Sequence, residues 1–176
     1  MKKELLMMQN VSSLDEFERL DLIRSLEPDQ NALEYLKNRL QNLYIEICRN
    51  DGLNIIELMD KGLLEGWCWQ TTESAIVFFE DSDYIERGNL KFSQHRNYWH
   101  SWICFKFNNN FFVFDPCLQI LVEQCIFNHV FEVSVEGFST AKDVRDDLIF
   151  RINHPQKKTY TLSKEFFLFF HSFELY

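Results

Sequence analysis

Apolar side chains recur at helical spacing over the first third of the chain, and aromatic runs typical of strands follow. Ser13-Leu14-Asp15-Glu16 predicts a capping box ahead of a short amphipathic helix that ends before Pro28. Asp29 is placed to cap a second helix, whose apolar positions recur every three or four residues to about Arg49. Residues 53–64 predict a third, shorter helix, so the N-terminal part is expected to be helical.

The middle of the chain predicts a buried helix and then a β-hairpin. Residues 68–79 end in a nearly all-apolar run, which indicates a central helix. Residues 81–94 are polar and irregular and predict a surface loop. Residues 98–107 and 111–117 are rich in aromatic side chains with strand propensity. The three Asn residues at 108–110 predict the hairpin turn between them, because Asn tolerates positive φ.

The pattern after the hairpin is less regular. Residues from 118 onward predict a short helix or a strand, and residues 130–135 predict a strand. Gly137 predicts a break, and Ser139 is placed to cap a helix over 141–152. A loop is predicted over 154–158, and the end over 166–173 is very apolar.

Helices therefore precede a mixture of strands and helices. This order predicts an α+β fold with a helical N-terminal layer on a small antiparallel sheet. The chain has 176 residues and no internal repeat, so we expect a single domain. Within it, residues 1–64 form a helical part, 65–135 a helix-plus-sheet core, and 136–176 a C-terminal helix with an apolar tail.

Composition and charge restrict the partners. The net charge of −9 disfavours binding to nucleic acid or to anionic lipid. The apolar run after Lys2-Lys3 stops at Gln9-Asn10, which is too early for a signal peptide. No stretch of about 18 apolar residues occurs, so no membrane span is expected. These features predict a cytoplasmic protein, with secretion by a route that needs no N-terminal signal as the open alternative.

The cysteines and histidines show neither disulfide-framework nor metal-ligand spacing. The five cysteines are expected to be free thiols. No C-x-x-C or H-x-x-x-H pattern and no Gly-rich phosphate loop occurs, so we expect no metal and no cofactor.

A thiol, an imidazole and a carboxylate follow one another through the middle of the chain. Cys68 lies at the start of the predicted central helix, where free N–H groups would stabilise a thiolate and bind a carbonyl oxygen. His100 and Asp115 lie on the two predicted hairpin strands. Cys68 is therefore the candidate nucleophile, His100 the candidate base, and Asp115 the carboxylate that orients it.

The length of the hairpin turn decides whether two of these groups can meet. If Asn108 and Asn109 are the central turn residues, paired positions sum to 217, and His100 and Asp115 become diagonal neighbours on one face. A three-residue turn would place them on opposite faces. Taken singly, each residue also fits an ordinary structural role, as a packed thiol, a structural imidazole or a turn carboxylate.

Three short motifs resemble those of the transglutaminase-like superfamily of papain-like cysteine enzymes. They lie within residues 66–117 and are Gly66-x-Cys68-Trp69, His100-x-Trp102 and Phe114-Asp115-Pro116. The resemblance implies a papain-like core, with the nucleophile helix packed on an antiparallel sheet and a Cys68-His100-Asp115 triad. The neighbouring tryptophans are candidates to line the substrate or the oxyanion site, namely Trp67, Trp69 and Trp102.

The chain also departs from these relatives. Gly62 stands where papain-type proteases place an oxyanion-hole Gln, and no Trp precedes Trp67, whereas animal-type transglutaminases use an upstream Trp. The second oxyanion donor therefore has no assignment.

These observations predict a cysteine-dependent acyl-transfer enzyme that forms a thioester on Cys68. It would act as an amide or peptide hydrolase or as a transglutaminase-like transferase on a polypeptide, amide or amine substrate. The acidic composition favours a basic or amine-bearing substrate. The alternative is an inactive transglutaminase-like fold that binds a protein partner through the apolar segment 166–173.

Overall fold

A computed structural model describes residues 2–40, 67–118 and 120–153. The helices are α1 (Lys2–Met8), α2 (Glu16–Arg24), α3 (Gln30–Leu40), α4 (Trp67–Ile76), α5 (Gln124–Phe131) and α6 (Ala141–Asn153). The strands are β1 (Tyr84–Ser93), β2 (Arg96–Phe107), β3 (Asn110–Asp115), β4 (Ile120–Glu123) and β5 (Ser134–Thr140). The predicted helix over 53–64 and the apolar end over 166–173 lie outside the described residues.

The five strands form one antiparallel sheet in the order β4-β3-β2-β1-β5, which confirms the predicted α+β class. One face packs against apolar side chains of α1, α2 and α5. The other face packs against those of α3, α4 and α6. Both faces are therefore covered. No helix in the three described segments is long and apolar enough to cross a bilayer.

The predicted hairpin is confirmed, including its two-residue turn. Asn108 and Asn109 adopt positive φ angles of 47° and 63°, as this tight turn requires. Phe107 pairs with Asn110, and the same register continues to Ile103 opposite Phe114. The numbers of paired residues therefore sum to 217, as expected for Asn108 and Asn109 as the central turn residues.

The N-terminal helices begin with side-chain caps. The capping box of α2 lies at Asp15 and Glu18, two residues later than predicted, with two reciprocal hydrogen bonds of 2.9 Å. The segments 13–16 and 15–18 both fit the box pattern, so the pattern could not choose between them. Asp29 caps α3 as predicted, since its Oδ1 accepts the N–H groups of Asn31 and Ala32 at 2.9 Å. The rest of that predicted helix, over 41–49, is outside the described part.

The predicted surface loop over 81–94 is wrong, because most of it is strand β1. This strand lies inside the sheet between β2 and β5, and its burial alternates, with Leu90 and Phe92 packed in the core. Charged residues hid the alternation, and one of them, Glu86, is itself buried. Its carboxylate accepts hydrogen bonds from Trp102 and Gln124, which are distant in sequence and which a local pattern does not show.

The predicted strand over 130–135 is also wrong. Helix α5 continues to Phe131, and Glu132 ends it in the left-handed conformation at φ 43°. The buried residues of α5 are Ile126, Phe127, Val130 and Phe131. They share one helical face because they recur at spacings of three and four residues.

Three boundaries near α4 and α6 differ from the predictions. Helix α4 ends at Ile76 instead of residue 79. Gly137 lies within β5 and does not break it. Thr140, not Ser139, caps α6, because its Oγ1 accepts the N–H of Asp143 at 3.1 Å. The helix itself, Ala141–Asn153, confirms the prediction over 141–152.

Candidate active site

Asp115 is the last residue of β3, and its carboxylate is held from two sides. Oδ1 accepts the backbone N–H groups of Cys117 at 3.0 Å and Leu118 at 2.9 Å, in the turn that follows the strand. Oδ2 lies 2.7 Å from Nε2 of His100. The side chain is completely buried. These bonds fix the direction in which the carboxylate faces the imidazole.

His100 lies between Asp115 and Cys68. Its Nε2 faces the carboxylate, which leaves Nδ1 for the hydrogen bond with the thiol. Burial lowers the pKa of His100, but the charge and hydrogen bond of Asp115, together with Cys68, raise that pKa to about 10. The imidazole is therefore protonated at neutral pH.

Cys68 is the second residue of α4, so its own N–H belongs to the first turn of the helix. Its thiol interacts with His100 and Ser101. Burial raises the pKa of the thiol, but the hydrogen bond and charge of His100 lower it more, and the net result lies below the ordinary 9.0. The shift favours a thiolate beside the imidazolium.

The Cys68 sulfur lies beside His100 and Ser101 of β2, which precede the part of β2 that pairs with β3. His100 and Ser101 are consecutive strand residues, whose side chains point to opposite faces of the sheet. Because Cys68 interacts with both, it lies beside the β2 backbone, next to residues that precede the paired part of β2 and β3. The exposed fractions are small, 4% for Cys68 and 7% for His100.

Two hydroxyl groups next to the thiol were missed by the sequence analysis. Oγ1 of Thr72 lies 2.8 Å from Oγ of Ser101, and both side chains are buried. Thr72 also lies within hydrogen-bonding reach of the carbonyl oxygen of Cys68. A thiolate would accept the Ser101 hydroxyl, and the single proton of Thr72 would then go either to the Ser101 oxygen or to the Cys68 carbonyl oxygen. The available signals were the four-residue spacing from Cys68 to Thr72 and the position of Ser101 after His100.

The three candidate tryptophans have different positions. Trp102 is fully buried and donates its indole N–H to Glu86 Oε2 at 2.8 Å, so its prediction as a substrate-lining or oxyanion residue is wrong. Its ring instead stacks on His100, with centroids 6.4 Å apart. Trp69 is half-buried beneath Arg87. The side chain of Trp67 lies outside the described part.

Other thiols and cavities are separate from this site. Cys104 is buried beside Glu86, and burial together with that carboxylate raises the pKa of its thiol. Cys125 is exposed. In the described segments, no group of three His, Cys, Asp or Glu side chains is arranged to hold a metal ion. A cavity of about 310 Å³ lies between Pro28 and β4 and contains no triad residue.

No protein-family model, no curated protein and no solved structure matches this chain.

Proposed function

We propose that the chain is a cysteine-dependent acyl-transfer enzyme with a transglutaminase-like, papain-like core. The observation that carries the proposal is the buried 2.7 Å contact between His100 and Asp115, with the Cys68 thiol interacting with the same imidazole. Its supporting frame is helix α4 packed against the sheet, with the base and the carboxylate on adjacent strands β2 and β3.

The first half-reaction forms a thioester. The Cys68 thiolate attacks the carbonyl carbon of an amide, and the carbonyl oxygen becomes an oxyanion that N–H groups of the first turn of α4 stabilise. As the C–N bond breaks, the His100 imidazolium gives its proton to the departing nitrogen. Asp115 keeps the ring oriented during this transfer.

The second half-reaction releases the acyl group. Neutral His100 takes a proton from water or from an amine, and that nucleophile attacks the thioester carbon. The C–S bond breaks, the Cys68 thiolate returns, and the product is a carboxylic acid or a new amide. The same three residues thus serve hydrolysis and transfer, and the nucleophile admitted to the site selects between them.

A non-catalytic binding protein of the same fold is the competing function. The observation that favours it is the small exposure of Cys68 and His100, since a nucleophile must reach its substrate. A thiolate that small reagents can reach would support catalysis, and an unreachable thiol would support binding.

Selective alkylation at mildly acidic pH separates the two functions. At pH 6 an ordinary thiol is ionised to less than about 1%, whereas a thiolate paired with an imidazolium stays reactive. Limiting iodoacetamide, with peptide mass spectrometry, should modify Cys68 at least about tenfold faster than the exposed Cys125.

Two variants test the cause of that selectivity. His100→Ala should abolish it, and Asp115→Asn should reduce it, because each weakens the charge or orientation of the imidazole. Faster labelling of Cys125 than of Cys68 in the folded wild-type protein would contradict the enzymatic proposal.

A further inference from the structure

Arg87 is a half-buried cation in β1 with no carboxylate partner among the residues that the structure describes. Its guanidinium carbon lies 5.0 Å from the centroid of the Trp69 ring. Nη2 donates to Oγ of Ser139 at 3.0 Å. Nε is buried and has no hydrogen-bond partner. The guanidinium therefore has an aromatic support and one neutral partner, but no compensating charge.

This situation is unusual in so acidic a chain, which has 27 Asp and Glu against 18 Lys and Arg. Several other arginines pair with carboxylates, in the pairs Arg19–Glu132, Arg39–Glu80, Arg96–Glu16, Arg145–Asp81 and Arg151–Glu73. Removing a charge from water is costly unless a partner compensates for it. An uncompensated guanidinium is therefore suited to an anion from outside the chain.

The register places this cation next to the nucleophile. Arg87 is directly opposite Ser101 in the β1–β2 pairing, and Ser101 forms a hydrogen bond with Cys68. Side chains of directly opposed residues lie on the same face of the sheet, about 5 Å apart at Cβ. Trp69, which supports the guanidinium, follows Cys68 in sequence.

On the flank toward β5, the residue paired with Arg87 has no side chain. Arg87 is opposite Gly137 in the β1–β5 pairing. A Cβ atom built on that glycine would lie 3.7 Å from Nη2, and within 4 Å it would meet only atoms of the guanidinium group among the described residues. Because residue 137 is a glycine, no side chain at this position occupies the space beside the N–H donors of Arg87.

We propose that Arg87 is the specificity-determining residue of the site, which binds a carboxylate of the acyl-transfer substrate close to the scissile carbonyl. This inference rests on the proposed function. A guanidinium supported on a ring presents a planar edge of N–H donors, which matches the two oxygens of a carboxylate. The preference is the opposite of the basic substrate that the net charge favours, because exposed charges are screened over about 10 Å and a half-buried cation acts at contact.

Two alkylating agents of nearly equal size test the inference. Iodoacetate carries a carboxylate, whereas iodoacetamide is neutral, and both transfer a two-carbon group to a thiolate with loss of iodide. We expect iodoacetate to react faster than iodoacetamide at Cys68, although the acidic chain and the thiolate should repel it. The quantity to measure is the ratio of the two second-order rate constants at pH 6.5, by peptide mass spectrometry.

Arg87→Gln should lower that ratio about tenfold, the loss expected for one charge-assisted hydrogen bond. Arg87→Lys keeps the charge but lacks the planar edge of N–H donors, so its rate ratio should lie between those of the wild type and Arg87→Gln. Ser139→Ala is the matched control, since it removes the neutral partner of Arg87 and leaves the cation in place. High salt should lower the wild-type ratio, whereas the ratio of Arg87→Gln, which retains only the repulsion by the acidic chain and the thiolate, should not fall.

The outcomes separate this inference from the proposed function. If neither reagent modifies Cys68 rapidly, the enzymatic proposal fails together with the role of Arg87. In a second outcome, iodoacetamide reacts rapidly while the iodoacetate-to-iodoacetamide rate ratio is the same in wild type, Arg87→Lys and Arg87→Gln. That result would support a reactive thiolate at Cys68 and overturn the anion-binding role of Arg87. If Arg87→Gln unfolds, the Arg87→Lys ratio and the salt dependence of the wild type decide the question.

Discussion

Nε2 of His100 lies 2.7 Å from Oδ2 of Asp115, although 15 residues separate them in sequence. The two-residue turn at Asn108-Asn109 produces this contact, because it sets the register that puts both side chains on one face of the sheet. The turn is local, but its consequence is the orientation of the imidazole beside Cys68. Mechanism in this chain thus depends on the length of one hairpin loop.

The first prediction concerns the dependence of stability on pH. The folded pKa of His100 is raised to about 10, and that of Cys68 is lowered from 9.0, so at every pH between 6.5 and 9 at which the folded thiol is ionised, the folded pair holds one proton, on the imidazole. The unfolded pair also holds one proton in that range, on the thiol. The pair should therefore add no pH dependence to the wild-type free energy of unfolding there.

Cys68→Ala should change this balance. Above pH 6.5 the unfolded variant has released the His100 proton, whereas the folded variant keeps it beside Asp115. Its free energy of unfolding should fall as pH rises toward the folded pKa, by up to about 1 kcal/mol per pH unit. Urea unfolding between pH 6.5 and 9 measures this, with Cys125→Ala as the control. Parallel curves for the variant and the wild type would exclude the ion pair.

The second prediction concerns the hydroxyl groups at the thiol. Ser101→Ala removes a donor to the Cys68 sulfur, so the pKa of the thiol should rise and alkylation at pH 6 should slow about tenfold. Thr72→Val, which removes the hydroxyl that supports Ser101, should have a smaller effect in the same direction. The full pH profile of the alkylation rate is the measurement. A lower rate with an unshifted profile would mean that these hydroxyls only shape the site.

The third prediction uses a matched pair of glycines. A Cβ atom on Gly88 would lie 2.1 Å from the backbone oxygen of Ser134, so the β1–β5 pairing must open to accept it. Gly88→Ala should therefore destabilise the protein by at least about 2 kcal/mol. Gly137→Ala, in the neighbouring strand, meets nothing closer than 3.7 Å and should cost much less. Thermal unfolding of both variants checks this, and equal losses would contradict the close strand approach.

The fourth prediction concerns a buried arginine on the opposite side of the sheet. Arg19 is completely buried and donates to the carbonyl oxygens of Val11 at 2.8 Å and Val130 at 2.5 Å, and to Glu132 at 2.8 Å. Arg19→Ala leaves those acceptors without their donor, and a loss of about 3–5 kcal/mol is expected from denaturant unfolding.

Arg24 provides the comparison for Arg19. It lies on the same helix, but it is exposed and makes one long contact of 3.4 Å with the carbonyl of Leu118. Arg24→Ala should cost under about 1 kcal/mol. A similarly small loss for Arg19→Ala would show that water replaces its hydrogen bonds.

The features that could be predicted from the sequence have local causes. Asn residues at a hairpin turn, aromatic strands on both sides and the Asp29 cap each follow from backbone preferences of a few adjacent residues. The order of Cys68, His100 and Asp115 indicated a meeting point because the hairpin register could be counted.

The features that could not be predicted depend on partners far away in sequence. Strand β1 looked like a loop because Glu86 and Arg87 interrupt its apolar alternation. Glu86 accepts the indole N–H of Trp102, and Arg87 lies against the ring of Trp69, neither of which the local pattern contains. Trp102 was predicted beside the substrate because it is close to His100 in sequence. That proximity does not show which side chains become buried.

The sequence alone determined the elements whose free energy is set by neighbouring residues, namely capped helices, the hairpin turn and the positions of three reactive groups along them. Only the tertiary structure decided which polar groups are buried, which are paired, and which cation near Cys68 has no carboxylate partner among the described residues. The physical reason is that desolvation and charge compensation depend on the whole packed environment of an atom, whereas turn and helix preferences depend on the adjacent peptide units.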